Sequence, residues 1–260
     1  KLGSENAMRN PRRTATTAAA LMVGLALVGV ANIFSTSLVA SIDKLLDEQF
    51  PADLISEGVD QTRGWFYTLH VLGVLLFGSA AYRHCIGIGH GNDEQGRKMS
   101  KSLGNVVEPM QVVEQTGAHA LRWYFYVNNP ELTSRFSARL VKEAAQSFLI
   151  PLWHALSFFT IYANLDGWKP GGRTVAFDSR PPMDRWILLR LNRLIAATTE
   201  HLDGYRITEA ARAVEVFIDD LTNWYIRRTR SRFWAAANDD PVDKESAYQS
   251  LYEVLTTLAK

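Results

Sequence analysis

The sequence contains almost no cysteine. Cys85 is the single thiol in 260 residues, so an internal disulfide and a zinc site built from cysteines are both excluded. A lone thiol fits a reducing compartment, and we expect Cys85 to serve as a small buried hydrophobe.

An excess of either charge sign is also absent. Lys and Arg together number 28 and Asp and Glu number 27, which gives a formal net charge of +1. Net charge therefore provides no argument for a polyanionic partner, and any affinity for one must come from a local cluster of basic side chains. With 47% hydrophobic and 21% charged residues, the composition is that of an ordinary globular protein.

Charged residues are missing altogether between Thr14 and Ser41. About 20 apolar residues cross the hydrocarbon core of a bilayer, and Arg9, Arg12 and Arg13 would keep the preceding end in the cytoplasm. The stretch therefore predicts a separate amino-terminal apolar helix that could span a membrane. A buried core helix is the alternative, and a signal peptide is disfavoured because no small-x-small cleavage site follows.

From residue 50 the pattern predicts an α/β segment followed by an all-α segment. Val71–Phe77 predicts an apolar helix, and the partly β-branched Tyr82–Ile88 predicts a buried strand. Glu108 and Pro109 suit a helix start, and Met110–Tyr126 carries apolar residues at helical spacing. A loop lies between this strand and this helix, and that order is typical of the carboxyl edge of a doubly wound sheet.

The second half of the sequence predicts helices alone. One long helix is predicted over Ser137–Leu165, and Asp166–Gly172 is rich in turn residues and predicts a linker. Three amphipathic helices follow and predict a helical bundle. Their predicted ranges are Met183–Leu202, Ile207–Trp234 and Lys244–Leu258.

The loop before Glu108 carries the strongest chemical signal. It reads Lys98-Met99-Ser100-Lys101-Ser102 and has glycines on both sides. Ammonium groups on flexible stems can follow a leaving pyrophosphate, and positive charge aimed at a transition state is usually a large catalytic contribution. Lys98 and Lys101 are therefore the candidate catalytic charges, with Ser100 and Ser102 shaping the loop. A solvated basic loop is the alternative.

A second polar cluster lies upstream. Glu57, Asp60 and Gln61 fall within five positions, so two carboxylates and an amide could converge on one small polar ligand. Gly58 would permit close approach of the backbone. The alternative is a helix amino terminus whose acidic residues complement the helix dipole.

A cluster of arginines interleaves with aromatic residues near the end of the second bundle helix. Arginines suit phosphates and aromatic rings suit base stacking, so the cluster predicts an RNA-binding surface. Its members are Arg227, Arg228, Arg230 and Arg232, with Trp224, Tyr225, Phe233 and Trp234. In the alternative, the rings form the bundle core and the arginines are only solvated, and the two interpretations can hold together.

Several strings of this sequence resemble one known family. The lysine loop and its flanks are similar to the second signature of class I aminoacyl-tRNA synthetases. The segment Glu57–Phe66 looks like the one that precedes this loop in the isoleucyl branch of the family. The resemblance covers residues 50 to 260, and the valyl and leucyl branches share the general plan. Further similar strings are Gly117–Trp123, Tyr162–Asn164, Asp184–Leu188, Asn223–Arg228 and Arg232–Trp234.

The resemblance implies three segments after residue 49. These are the carboxyl half of a class I Rossmann-type catalytic domain (50–127), a helical junction and linker (128–172) and a partial anticodon-binding helical bundle (173–260). It also implies a cytoplasmic enzyme that activates isoleucine with ATP as substrate and Mg²⁺, then transfers it to tRNA(Ile). Glu57, Gly58, Asp60 and Gln61 would bind the aminoacyl adenylate, and no zinc site is expected in this chain.

The resemblance also implies parts that this sequence lacks, among them the histidine-type signature and the editing insertion. We therefore expect this chain alone to be inactive. Residues from about 6 to 49 instead resemble a membrane segment of an ABC-type permease, so residues 1–49 are interpreted as foreign or misjoined, with a native appendage as the alternative. Two other functions stay open. A tRNA-binding module would not bind nucleotide, and a membrane-permease fragment would depend on detergent.

Overall fold

The structure, a computed structural model, describes residues 50–172, 174–235 and 240–259. The predicted helix over residues 14–41 lies outside these ranges. The described part is mostly helical. Its strands are β1 (Ala52–Gly58), β2 (Tyr82–Ile88), β3 (Gly91–Asn92) and β4 (Ser134–Arg135). Its α-helices are α1 (Trp65–Phe77), α2 (Pro109–Thr116), α3 (Ala118–Val127), α4 (Ala138–Ser147), α5 (Leu149–Leu165), α6 (Pro182–Asp203), α7 (Ile207–Asp219), α8 (Arg227–Trp234) and α9 (Pro241–Leu258).

The chain divides into two compact units, Lys1–Gly87 and Ile88–Lys260. In the described part of the first unit, β1 and β2 form a two-stranded sheet. Strand β2 has the predicted bounds, but its predicted burial is wrong because Arg83, His84 and Cys85 are exposed. Cys85 is therefore not the buried hydrophobe that the sequence predicts.

Helix α1 begins at Trp65 rather than at the predicted Val71. Gln61 closes its first turn, since the Gln61 Oε1 accepts a hydrogen bond from Trp65 N at 3.0 Å. The helix ends at Phe77 because Gly78 adopts the left-handed conformation, with φ of +67°.

The predicted helix over Met110–Tyr126 is in fact two helices, α2 and α3, separated by Gly117. Pro109 occupies the first turn of α2, where a missing N–H costs nothing. Gly117 has φ of +85° and ψ of 149°, a conformation that is essentially restricted to glycine and cannot continue a helix. Hydrophobic spacing does not register a break of one residue, which explains why the single-helix prediction is wrong.

The predicted helix over Ser137–Leu165 is also divided. Ser137 caps α4 because its Oγ accepts a hydrogen bond from Leu140 N at 3.3 Å. Phe148, with φ of −129° and ψ of −62°, then separates α4 from α5. Helices α2, α3 and α4 enclose a small core that consists of Val112, Ala120, Tyr124, Phe136 and Val141.

Residues 138–165, the span of α4 and α5, are long and apolar enough to cross a membrane by length and composition, since an 18-residue window within them has a mean hydropathy of 1.3. One stretch of this kind within the described ranges is weak evidence, because core helices of soluble proteins pass the same test. Residues Leu152 and Phe158 of this stretch pack against the core of the helical bundle.

Helices α6 to α9 form the predicted bundle, and the segment Asp166–Gly172 before it lies outside the helices. Its role as a linker stays a prediction. The predicted helix over Ile207–Trp234 contains a seven-residue π-helical segment, Asp220–Ile226, between α7 and α8. Such segments are rare and occur frequently at functional sites. The fully buried residues of the bundle core include Ile187, Leu221, Tyr225, Ala247, Leu251 and Val254.

The Gly117 break gives a stability prediction. Gly117→Ala should lower the free energy of unfolding by about 1–3 kcal/mol, because alanine is strained at this φ and ψ although its Cβ would meet nothing within 4 Å. Gly172→Ala is the matched control, since a Cβ there makes ordinary contact at 3.8 Å. Urea unfolding of both variants measures the difference, and equal midpoints would contradict the strain at Gly117.

Candidate functional site

The lysine loop follows β3 in the second unit. Strand β3 pairs in parallel with β4, and Asn92 forms an isolated antiparallel bridge with Lys98. Ser100 then caps the short 3-10 turn Lys101–Leu103, because its Oγ accepts a hydrogen bond from the last N–H of that turn at 3.3 Å. The Oγ atoms of Ser100 and Ser102 lie 3.1 Å apart. Both serines thus make contacts within the loop, and their part in the catalytic loop stays a prediction.

The long side chains of the loop divide between solvent and core. Lys98 and Lys101 are exposed, and neither ammonium group forms an ion pair with any residue that the structure describes. Met99 lies between them and packs against the small core of α2, α3 and α4. The methionine thus fixes the middle of the loop while both ammonium groups stay available to an anionic ligand.

A buried carboxylate that the sequence analysis missed organises this loop. Asp93 is 4% exposed. Its Oδ1 accepts a hydrogen bond from Arg97 N at 2.7 Å, and its Oδ2 accepts from Arg97 Nε at 2.8 Å and from Asn105 Nδ2 at 2.9 Å. The sequence offered one local sign of this role, namely that Asp93 lies four positions before Arg97. The same spacing occurs in solvated turns, so it does not by itself indicate a functional carboxylate.

The same contacts lower the pKa of Asp93. The hydrogen bond from Asn105 has the largest effect, and together with the contacts from Arg97 it outweighs the opposing effect of burial. The pKa of Asp93 is lower in the folded protein than in the unfolded chain. Ionised Asp93 therefore stabilises the fold at any pH above the ordinary pKa of an aspartate, and this stabilisation is lost as the pH falls through the lowered pKa.

The predicted adenylate-binding residues lie in the first unit, at the end of β1 and in the following 3-10 turn Val59–Arg63. Glu57 and Asp60 are exposed. Gln61 uses its amide oxygen to cap α1, and its Nε2 lies 3.4 Å from the Asp60 Oδ2. A Cβ at Gly58 would come within 2.6 Å of the Asp60 Oδ1, so glycine allows that carboxylate to approach the backbone. Adenylate binding by these residues stays a prediction.

The arginine cluster lies on the π-helical segment and α8. Arg227, Arg228 and Arg230 are exposed. The Arg228 Cζ lies 3.6 Å from the ring centroid of Trp224, and the Arg230 Cζ lies 5.2 Å from that of Trp234. The two tryptophans are 45% and 54% exposed, so these stacked pairs face solvent.

The other two aromatic residues of the cluster belong to the core. Tyr225 is 0% exposed and Phe233 is 1% exposed. Core rings and exposed Arg–Trp pairs therefore occur on the same helical stretch. RNA binding by the exposed arginines stays a prediction.

Arg232 was predicted to bind RNA, and the structure corrects this assignment. Its side chain is 15% exposed, with Nη1 at 2.6 Å from the Asp184 Oδ1 and Nη2 at 2.8 Å from the Asp184 Oδ2. Its Nε donates to the Asp243 Oδ2 at 2.8 Å, and its Nη2 also donates to the Asp243 carbonyl oxygen at 2.8 Å. The guanidinium is thus occupied inside the bundle and is not available to a phosphate.

Asp184 is fully buried and accepts two more hydrogen bonds, from Tyr225 Oη at 2.8 Å and from Ser246 Oγ at 2.5 Å. Burial, followed by the nearby Asp184 charge, raises the pKa of Tyr225 well above its ordinary value. Burial opposes the charge of Arg232, but the hydrogen bonds from Arg232 to Asp184 and Asp243 outweigh it and raise the pKa of Arg232. One carboxylate therefore joins α6, the π-helical segment, α8 and α9.

Metal ligands are not grouped in the described residues. Within these ranges, no three or more His, Cys, Asp or Glu side chains lie close enough together to hold a metal ion.

Comparison with known families defines the class of this protein. Residues 33–136 match the family model for tRNA synthetases class I (I, L, M and V), and residues 184–260 match the anticodon-binding domain of tRNA ligases. The chain belongs to the class I tRNA synthetases. The catalytic match includes residues 33–49, which the sequence analysis assigns to the amino-terminal segment.

Within that class, the chain is homologous to isoleucine–tRNA ligases. It is 49% identical over 215 residues to the ligase of Dehalococcoides mccartyi (strain CBDB1), which is 82% of this chain and 21% of that relative. It is 50% identical over 218 residues to the Clostridium novyi ligase and 49% identical over 220 residues to the Thermus thermophilus ligase, in each case 84% of this chain and 21% of the relative. The chain thus spans about one fifth of these relatives.

Solved structures show the same fold. Mycobacterium tuberculosis methionyl-tRNA synthetase in complex with methionyl-adenylate has a TM-score of 0.67 and 21% identity, over 81% of this chain and 41% of that one. The Agrobacterium radiobacter K84 agnB2 LeuRS in its ternary complex with tRNA and LeuAMS has a TM-score of 0.57 and 20% identity, over 79% of this chain and 26% of that one. At these identities the likeness concerns the fold alone.

The comparisons confirm the predicted family and its plan of a catalytic domain followed by an anticodon-binding domain. They give no support to the predicted membrane association or to the interpretation as a permease fragment.

The corrected role of Arg232 is testable. Arg232→Ala should lower the free energy of unfolding by about 3–5 kcal/mol, because it leaves the Asp184 carboxylate buried without its charged partner. Arg228→Ala is the matched control, since this exposed guanidinium stacks on Trp224. Chemical denaturation should separate the two variants clearly. An Arg232 variant as stable as the control would return Arg232 to the RNA-binding set.

Proposed function

We propose that this chain is the part of an isoleucine–tRNA ligase that contributes the lysine loop to isoleucine activation and a first RNA-binding surface to tRNA(Ile) recognition. Two lysine ammonium groups carry this proposal: those of Lys98 and Lys101 are exposed and form no ion pair within the described part of the chain. They belong to a chain about 50% identical to isoleucine–tRNA ligases. Because the chain spans about a fifth of those relatives, the complete reaction belongs to the full-length enzyme.

In the proposed reaction, the carboxylate of isoleucine attacks the α-phosphorus of ATP, and pyrophosphate leaves. The chemistry needs no covalent nucleophile from the protein, since positioning and neutralisation of charge are sufficient for such transfers. Lys98 and Lys101 neutralise the charge that develops on the departing pyrophosphate. The capped turn that begins at Ser100 holds the second lysine in place.

Glu57 and Asp60 serve the other product, the isoleucyl adenylate. Both carboxylates are exposed and could accept hydrogen bonds from an ammonium group or a ribose hydroxyl. Gln61 is committed in part to capping α1, so its contribution is to fix the turn and to leave its Nε2 beside Asp60. Gly58 permits the close approach of the Asp60 carboxylate.

The finer architecture belongs to the same proposal. Residues 50–127 form the carboxyl half of a Rossmann-type catalytic domain, residues 128–172 the helical junction and linker, and residues 173–260 the start of the anticodon-binding bundle. Magnesium would enter with ATP, because Mg²⁺ is usually held by substrate phosphates and one or two carboxylates rather than by an all-protein cage. The compartment is the cytoplasm, where ATP and tRNA are available.

The exposed Arg–Trp pairs provide the RNA-binding surface. Arg228 and Arg230 place positive charge over the faces of Trp224 and Trp234, and Arg227 adds a third exposed guanidinium. Guanidinium groups bind phosphates, and an exposed indole offers a face on which an unpaired base can stack. The surface therefore suits single-stranded RNA, such as an anticodon loop, better than a duplex.

The loop assignment predicts a rate effect. In a full-length enzyme in which residues 50–259 replace the matching segment of the Thermus thermophilus relative, Lys101→Ala should slow adenylate formation by about 100- to 1,000-fold, because one transition-state donor is lost. Affinity for isoleucine should change little. Pyrophosphate exchange measures the rate, and Lys142→Ala, another exposed lysine, is the control. A rate equal to that of the control would reject the assignment.

The arginine surface predicts a salt effect. In the same full-length enzyme, replacing Arg227, Arg228 and Arg230 together by alanine should weaken tRNA binding and reduce the salt dependence of log K by roughly 0.7–0.9 per lost phosphate contact. Filter binding over a salt series measures the slope, and Arg193→Ala, an exposed arginine of α6, is the control. Adenylate formation should be unaffected. An unchanged slope would mean that these arginines are only solvated.

A further inference from the structure

The ends of the lysine loop are joined by side chains rather than by a regular sheet. Asn105 lies after the loop and links two of its backbone groups, because its Oδ1 accepts a hydrogen bond from Ser100 N at 2.9 Å and its Nδ2 donates to the Lys98 carbonyl oxygen at 3.2 Å. The Ser100 and Lys98 backbones flank Met99, so Asn105 holds the segment that carries the first lysine and precedes the second.

Asn105 is oriented in turn by Asp93. The Asn105 Nδ2 donates to the Asp93 Oδ2 at 2.9 Å, and this assigns the amide nitrogen to the Asp93 side and the amide oxygen to Ser100. Asp93 also receives both the backbone N–H and the Nε of Arg97, the residue directly before Lys98. A 4% exposed carboxylate is thus bonded to the residue before the loop and to the residue after it.

The position of this network relative to the lysines has a chemical consequence. Apart from the hydrogen bond between them, every side-chain hydrogen bond of Asp93 and Asn105 goes to the backbone of the loop or to Arg97. Lys98 and Lys101, in contrast, have no acidic partner among the residues that the structure describes. A carboxylate placed beside either ammonium group would compete with a polyphosphate. This carboxylate orders the loop without that competition.

We propose that Asp93 is a positioning residue for isoleucine activation, acting through Asn105 to hold the backbone of Lys98 and Ser100 in the geometry that presents both ammonium groups to pyrophosphate. The proposal rests on the proposed function. It adds a residue outside the lysine signature and a specific partner for it.

Loop order is tested first, on the 260-residue chain itself and without any reference to activity. Asp93→Asn keeps the size of the side chain but turns an acceptor into an amide nitrogen that faces the Arg97 Nε and the Asn105 Nδ2. A lysine-specific protease should therefore cleave after Lys98 and Lys101 about 10- to 100-fold faster relative to cleavage after Lys142, an exposed lysine of α4, since hydrogen bonds to a charged group are lost.

The effect on the reaction is measured in the full-length enzyme that carries residues 50–259. Asp93→Asn should lower kcat for pyrophosphate exchange by about 100-fold, the order expected for misplaced catalytic groups, with KM for isoleucine unchanged. Asp93→Asn combined with Asn105→Asp exchanges donor and acceptor between the two positions. This double variant should recover part of both kcat and protease resistance, because the two side chains are in direct contact. The loss of kcat at an unchanged KM is the result that a merely structural role would not produce.

The matched control is Glu94→Gln. Glu94 is the adjacent carboxylate, and its ion pair is with Arg139 of α4 rather than with the loop. Unchanged cleavage in Asp93→Asn would overturn the proposal, as would faster cleavage with an unchanged kcat, or a double variant no better than the single ones. If the unsubstituted full-length enzyme forms no adenylate, the proposed function fails, while the cleavage ratios still decide whether Asp93 orders the loop.

Discussion

The ion pair between Arg232 and Asp184 is the interaction on which the helical half of this protein depends. Asp184 is fully buried, so its charge must be matched inside the protein, and the bidentate guanidinium together with the Tyr225 and Ser246 hydroxyls supplies that match. A buried pair adds less stability than its geometry suggests, because both charges lose their hydration. Removing one partner, however, leaves the other charge buried and uncompensated, which strongly lowers the free energy of unfolding. Any other arrangement of the four joined elements would separate the two charges, so the ion pair favours the observed one.

The proposed RNA-binding surface depends on this buried arrangement. Tyr225 is fixed in the core by its hydrogen bond to Asp184, and its neighbour Trp224 is then directed outward, where Arg228 stacks on it. Both aromatic residues belong to the π-helical segment, whose wider turn alters the helical register between α7 and α8. The buried face of the helix, which carries Tyr225, thus sets the orientation of the exposed face, which carries Trp224 and Arg228.

Much of this arrangement was predictable where the signal is local. Strand β2 and the bundle helices follow hydrophobic spacing, and the sequence predicts their outer bounds to within three residues, although it does not predict the π-helical segment between α7 and α8. The breaks at Gly117 and Phe148 were missed because each depends on the backbone conformation of one residue, which apolar spacing does not encode. The exposure of Cys85 was missed for another reason, since β-branched composition does not reveal whether a neighbouring layer covers a strand.

The candidate site residues also differ in whether their role depends on neighbouring or on distant positions in the sequence. Lys98 and Lys101 were recognisable because their chemistry and their spacing lie in one short string, whereas Asp93 acquires its role from Asn105, twelve positions away. Arg232 was misassigned because its partner Asp184 lies 48 positions earlier, so the sequence shows four similar arginines where the structure has three exposed and one paired inside the bundle. A basic residue can bind an external phosphate only if its donors are not already used. The decisive property of each lysine and arginine is therefore the presence or absence of an internal carboxylate, and tertiary structure alone determines it.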